Sequence, residues 1–271
     1  MLRCKLHHAY DTFTTGKNMS SSIVHVPRAA SAVLVKQSPL FASLPEALIQ
    51  EIAQHFHLIK WEKGSYINPD NLMTQFYFLQ DGQLEMKRNN PDTGKEVTLD
   101  VLYPGDSFDI TTLLDGKPHD VILEPISSSI QLVSVPIEMM RKWIWTYPEL
   151  NQQFLPYLAH KMREQEDLAS SFVLHDMSTR LSRLILKHIN KIKHYTGKQE
   201  EAQKTHLING LSDEALARMV GSVRQVVNKQ LQHWRSQGII NKKRNQLIIN
   251  DLDAIYKEAN ILQSNLKQGE L

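Results

Sequence analysis

Leu211-Ser212-Asp213-Glu214-Ala215-Leu216-Ala217-Arg218-Met219-Val220-Gly221-Ser222-Val223-Arg224-Gln225-Val226-Val227-Asn228-Lys229-Gln230-Leu231-Gln232-His233-Trp234-Arg235-Ser236-Gln237 is the stretch on which the fold turns. Ser212 is placed to cap a helix, and Asp213 and Glu214 put negative charge in its first turn, where the helix dipole favours it. Ala217 is small enough to let a second helix approach, and Gly221 ends the first helix and permits a sharp turn. From Val223 a helical period returns, and it assigns Val223, Val226, Val227, Leu231 and Trp234 to the buried side. Arg224, Gln225, Asn228, Lys229 and Gln232 are left facing outward. Two short helices about a glycine turn, the second offering Arg, Gln, Asn and Lys, make a helix-turn-helix. Those side chains carry donors and acceptors that match base edges in a major groove. Gly238-Ile239-Ile240, a polar tip over Asn241–Gln246 and Leu247-Ile248-Ile249 then read as a hairpin wing. Lys242, Lys243 and Arg244 are placed there for phosphates. With Ser222 in the turn, these define the candidate nucleic-acid contacts.

Charge supports a polyanion partner. The chain of 271 residues is nearly balanced, 31 basic against 29 acidic, but the balance is uneven along its length. Residues 215–250 hold seven bases (Arg218, Arg224, Lys229, Arg235, Lys242, Lys243, Arg244) and no acid. Residues 40–130 hold fourteen acids and six bases. A merely solvated face mixes both signs, so an acid-free run favours nucleic acid. A generic helix pair that binds protein is the blander reading of the same segment.

Upstream lies a helix over about Ser178–His194, with Leu181, Leu184, Ile185 and Ile189 on one side, then a polar loop over Thr196–His206. A longer helix spans about Pro148–Val173, with Pro156 read as marking its first regular turn. In it Leu155, Leu158, Met162, Gln165, Ala169 and Phe172 recur at spacings of 3 and 4, a heptad seam with charged flanks (Lys161, Arg163, Glu164, Glu166, Asp167). That pattern predicts pairing with a second copy of the chain, with Gln165 helping to fix the register.

Further upstream the pattern changes to short strands, rich in aromatic or β-branched residues and separated by turn signals. Strands are expected over His55–Trp61, Ser65–Ile67, Phe76–Gln80, Gln83–Arg88, Val97–Tyr103, Ser107–Asp109 and Ile130–Pro136. Asp81-Gly82 is a hairpin signal, and Pro91-Asp92-Thr93-Gly94 and Pro104-Gly105-Asp106 are turns. Many short strands at this spacing imply a jelly roll. Ahead of them Leu44–Ala53 reads as a short helix capped by Ser43. The chain therefore divides into a loose extension (1–31), a β-roll sensor (32–147), a dimerisation helix (148–175) and a winged helix-turn-helix (176–271). The fold class is α+β.

Composition closes off other classes. The single cysteine, Cys4, excludes a disulfide framework and a protein-ligated iron–sulfur cluster built from this chain alone, and it suits a reducing cytoplasm. No apolar stretch reaches the ~18–20 residues of a membrane span. The N-terminus lacks the continuous apolar core of a secretory signal, and Met19 is an alternative start. Cys4, His7 and His8 are potential metal ligands that tails collect by chance, so no metal is expected. A cupin-type enzyme needs clustered His and carboxylate ligands; His55 and His57 share a strand face, but no downstream partner completes a site. No enzymatic activity is expected.

From about Val35 to Ala259 the chain resembles the cyclic-AMP receptor / fumarate-nitrate reductase regulator (CRP/FNR) family of bacterial transcription factors. The likeness rests on Phe78-Leu79-Gln80-Asp81-Gly82, Pro104-Gly105-Asp106 and Leu216-Ala217-Arg218-Met219-Val220-Gly221-Ser222-Val223-Arg224-Gln225-Val226-Val227, in that order across two domains. It implies a homodimer on palindromic duplex DNA, with RNA polymerase as a further partner. Two departures matter. Where cyclic-nucleotide binders of the family carry Gly-Glu for the ribose and Arg-Ser for the cyclic phosphate, this chain has Asp109-Ile110 and His119-Asp120. With Gln165 on the long helix, these four form the candidate effector pocket. An acid repels a cyclic phosphate and no Arg occurs between Asp106 and Val135, so cyclic AMP in the usual mode is disfavoured. The family's four-cysteine oxygen sensor is excluded by the single Cys4. Haem held by a His remains an alternative, and no cofactor is predicted. The second departure is in the base-reading positions, Arg-Glu-x-x-x-Arg in the receptor protein, which become Arg224, Gln225 and Lys229. Gln225 replaces an acceptor suited to cytosine with a group suited to adenine. A cyclic-nucleotide-binding regulatory module with no DNA-binding role is the rival reading, and it leaves the winged helix unexplained.

Overall fold

β-Branched and aromatic residues, alternating in and out and punctuated by turns, build two antiparallel sheets in a computed structural model of the chain. The structure describes residues 22–24, 35, 36, 38–64, 69–196, 212–243 and 246–260. One sheet runs in the order β1 (Ser22–Val24), β2 (His57–Glu62), β8 (Ser129–Pro136), β3 (Gln75–Asp81), β6 (Ser107–Phe108). The other runs β5 (Glu96–Leu102), β4 (Leu84–Asn89), β7 (Ile122–Pro125). Alternation on β3 shows how the sheet divides two cores. Tyr77 and Leu79 face the interior of the roll with Trp61, Leu84, Leu102 and Phe108. Phe76 and Phe78 face the opposite way, onto helices, with Phe41, Phe56 and Trp143. At the expected hairpin Gly82 has φ of +85°, and a Cβ there would lie 2.8 Å from the side chain of Ile130. Only glycine fits that turn.

Several expectations are corrected. Ser22–Val24 is not loose: it pairs antiparallel with β2 at the sheet edge, Ile23 opposite Ile59. The first helix, α1 (Glu46–Ala53), has Pro45 rather than Ser43 at its N-cap position, and no side chain caps it. Strand β7 and four further helices, α2 (Pro69–Thr74), α3 (Ile110–Asp115), α4 (Ile137–Thr146) and one over Leu252–Glu258, have no counterpart among the expected elements. The expected strand Ser65–Ile67, the tail with Cys4, His7 and His8, and most of the polar loop lie outside the described residues.

The long helix α5 (Pro148–Leu174) starts with Pro148 in its first turn and continues through Pro156. An interior proline removes a backbone hydrogen bond and costs about 3 kcal/mol. Phe154 and Tyr157, buried on either side of it, hold the helix against the roll. The Tyr157 hydroxyl meets Ser107 N at 3.1 Å and Ser107 Oγ at 2.9 Å. Along the seam Leu155, Met162, Gln165 and Ala169 are exposed. Leu158 is half-buried against the chain's own core, and Phe172 turns to the helix-turn-helix. Beyond lie α6 (Met177–Thr196), α7 (Asp213–Met219), α8 (Arg224–Ser236), the hairpin of β9 (Ile240–Lys243) and β10 (Gln246–Ile249), and α9 (Leu252–Glu258). No helix among the described residues is long and apolar enough to cross a membrane.

Candidate nucleic-acid interface

Local sequence fixes the helix-turn-helix. The Ser212 hydroxyl accepts from Ala215 N at 3.2 Å, as a cap should. After α7, Gly221 takes φ of +60° and Ser222 N donates to Ala217 O at 2.8 Å, closing the turn. Val227, Leu231 and Trp234 are buried from α8, together with Leu181, Ile185, Ile189, Leu216, Ile240, Leu247 and Ile255. Helix α8 is thus held from behind by α6, α7 and the wing.

Its front is not quite the one expected. Arg224, Gln225, Lys229 and Gln232 are exposed, Ser222 and Asn228 half-exposed. Val223 and Val226, assigned to the buried side by periodicity, are instead 58% and 43% exposed. Three valines fall within five residues, and the core takes only Val227.

The basic run also divides. Arg218 points away from the recognition surface, its Nη2 3.0 Å from Glu85 Oε2 on β4 and its Nε 3.7 Å from Glu96. Lys242 is ion-paired with Asp213 and so is not free for a phosphate. Arg244 lies outside the described residues. Arg224, Lys229, Arg235 and Lys243 remain exposed around α8 and the wing.

Behind the winged helix the outer face of the three-stranded sheet is polar and covered. Glu85, Lys87, Thr98 and Asp100 are buried there, and Val101, Tyr103 and Ile126 join the core of the winged helix. Lys161 of α5 and Lys187 and Lys191 of α6 converge with Asp100, Asp106 and Glu164. Lys161–Asp106 is 2.9 Å, Lys187–Glu164 3.2 Å and Lys191–Asp106 3.2 Å. Burial alone pushes the Asp100 carboxyl up, but the three ammonium groups outweigh it and hold it well below the usual carboxylate range. His188 of α6 is buried against the Tyr103 hydroxyl. Burial, reinforced by Lys191, lowers its pKa to about 4.

The expected effector residues fall partly together. Asp109 is buried and caps α3: its Oδ1 accepts from Thr111 N at 3.1 Å, and its Oδ2 accepts from Thr112 Oγ1 and His119 Nδ1, both at 2.8 Å. Burial raises the Asp109 pKa, but the His119 and Thr112 hydrogen bonds bring it below the ordinary value. Ile110 opens α3; Asp120, in the loop before β7, and Gln165, on α5, are both exposed. The segment lacks an Arg of its own, but the fold brings two. Arg88 Nε donates to Asp120 O at 2.9 Å, and Arg141 donates to Leu113 O and Thr112 O. Inside the roll Trp61 lies 5.6 Å from Tyr77, which stacks on Phe108 at 5.2 Å. Among the described residues no three His, Cys, Asp or Glu converge on a metal position.

A family model for the Crp-like helix-turn-helix domain matches residues 179–257, the segment from α6 to α9. The chain is 25% identical over 227 residues to a CRP-like cAMP-activated global transcriptional regulator of Mycobacterium tuberculosis, covering 83% of this chain and 98% of that one. It is 28% identical over 191 residues to the global nitrogen regulator of Synechococcus elongatus, covering 68% and 82%. Its fold matches FixK2 from Bradyrhizobium japonicum with a TM-score of 0.62 at 16% identity, over 74% of this chain and 95% of that structure. The chain carries a Crp-like helix-turn-helix domain. Similarity to these transcriptional regulators runs across both units of its α+β fold, the N-terminal sheet-rich one and the C-terminal helix-turn-helix.

Proposed function

We propose that this chain is a regulator of the CRP/FNR type that acts as a cytoplasmic homodimer, regulating transcription by binding a roughly palindromic duplex site, without cyclic AMP in the usual mode. The observation that carries the reading is the exposed first turn of α8, where Arg224 and Gln225 project beside Lys229, with Lys243 on the neighbouring wing. Arg224 suits the O6/N7 edge of guanine, Gln225 the N6/N7 edge of adenine, and Lys243 a phosphate. The exposed apolar stripe of Leu155 and Met162 on α5 supports a second copy across a dyad, which sets two recognition helices about one helical turn apart. RNA polymerase is the further partner. Against cyclic AMP stands the use of Asp109 as a helix cap tied to His119, in place of an acid on a ribose and an Arg on a phosphate.

Selection from random duplexes followed by gel shift tests this reading. Arg224→Ala costs roughly 1–3 kcal/mol on the selected site and relaxes one base position. Lys243→Ala weakens all sequences alike and flattens the salt slope by about one unit. Unchanged site preference in Arg224→Ala refutes the recognition-helix assignment. Calorimetry with cyclic AMP and cyclic GMP tests the effector reading: micromolar binding that also tightens the operator complex overturns it.

A further inference from the structure

We infer that Val223 and Val226 form an apolar reading pair on the recognition helix and select 5-methyl groups of thymine in the major groove, making the half-site thymine-dependent next to the bases read by Arg224 and Gln225. This rests on α8 being the recognition helix. Within the winged helix-turn-helix, these two are the large hydrophobic side chains that stand exposed among the described residues. They flank Arg224 and Gln225, and the N-terminal residues of such a helix are those that reach base edges.

Folding does not account for either valine. Val223 occupies the N-cap of α8 and makes no side-chain cap hydrogen bond. A Ser, Thr, Asp or Asn there would satisfy a backbone N–H at the helix start, so valine weakens the free helix. Val226, three residues on, leaves 43% of its surface in water while neighbouring Val227 is fully buried. Both pay solvation in the free protein and recover it only against an apolar surface. In a major groove otherwise lined with donors and acceptors, that surface is the thymine methyl. Spacing of i and i+3 sets the two side chains one helical turn apart on the groove-entering end.

The test uses the full chain and the duplex it selects. Each thymine of the half-site is replaced in turn by deoxyuridine, which keeps every hydrogen bond and loses only the methyl. One or two positions lose about fourfold in affinity per methyl, the equivalent of about 0.8 kcal/mol. In Val226→Ala or Val223→Ser the thymine–deoxyuridine difference at its position disappears. Val223→Ser meanwhile supplies a capping hydroxyl, so its melting temperature stays level or rises, which separates loss of reading from loss of fold. Deoxyuridine without effect at every position, while Arg224→Ala still relaxes its base, overturns this inference and leaves the recognition helix standing. Valine variants that bind DNA as the parent does but lose a protein partner overturn it in favour of a protein contact. Failure of Arg224→Ala to alter site choice overturns the recognition-helix reading itself, and this inference with it.

Discussion

Arg218, in the first helix of the helix-turn-helix, sets its guanidinium against Glu85 of strand β4, with Nη2 3.0 and 3.2 Å from the two carboxylate oxygens. Glu85 is buried and also takes the Thr98 hydroxyl, so the carboxylate is satisfied only while the winged helix stays docked. Burial works against the Arg218 charge, but Glu85 and Glu96 raise its pKa above the ordinary value. A residue of the apparent DNA-binding basic run is therefore a domain tie.

Removing one partner leaves a buried charge unpaired. Such losses run to about 3–5 kcal/mol in full burial, and Arg218 retains some solvent access, so about 2 kcal/mol is expected for Glu85→Ala. Denaturant titration of Glu85→Gln, Arg218→Gln and the double variant gives the coupling, expected at about 1–2 kcal/mol. Additive effects would mean that the two residues do not hold the domains together.

Gly221 and Phe172 join the long helix to the recognition turn. A Cβ on Gly221 would lie 2.6 Å from the Phe172 ring, at a backbone φ of +60°. Gly221→Ala therefore meets both strain and a clash, and it destabilises by about 1–3 kcal/mol. Phe172→Ala in the same chain removes the clash but not the strain, so the double variant is less destabilised than the sum of the singles. A strictly additive pair, measured by thermal unfolding, places the ring elsewhere.

What the sequence reveals here follows from how far each signal reaches. Ser212, Gly221 and the Asp81-Gly82 turn act on their own neighbours, and each does what local chemistry requires. Val223 and Val226 misled because a run of valines satisfies a helical period on either face, and only the packing of Trp234 and Leu231 decides which face is core. Arg218–Glu85 joins positions 133 residues apart, and no local pattern marks it. Ser22–Val24 is equally silent, since a three-residue edge strand takes its identity from its pairing with β2. The absence of Arg around Asp109 is true of the segment and untrue of its surroundings, where Arg88 and Arg141 arrive from other elements.

The seam on α5 makes a third prediction. Leu158 serves the chain's own core in part, so Met162, 57% exposed, is the cleaner probe of pairing. Met162→Glu sets like charges face to face across a dyad in a desolvated seam. The variant is expected to sediment as a monomer with an unchanged circular dichroism spectrum, and to lose affinity for the full palindrome more than for a half-site. An intact dimer would move the interface off this helix.

The last prediction concerns acid. His188, on α6, is fully buried against Tyr103, with Lys191 and Asp100 as its charged neighbours, and its pKa is lowered to about 4. The unfolded chain takes up this proton near pH 6.5, whereas the folded chain refuses it until about pH 4. Stability rises with pH wherever the unfolded state binds more protons, so it falls as pH drops through that window and stays lost below it. The loss between pH 7 and pH 5 is roughly 2 kcal/mol from this one group. Asp100, held low by its three lysines, adds its own loss only as the pH falls past the ordinary carboxylate range near 4, which separates the two groups. Replacing His188 with Gln removes the titration, and the stability of that variant should change little between pH 7 and pH 5 while the parent weakens. Parallel pH profiles for the two would show that His188 is not neutral in the folded chain. Because the ring lies where the winged helix meets the β-roll, the same acidification is expected to raise hydrogen exchange first in α6 and in β5 beside Tyr103, ahead of global unfolding.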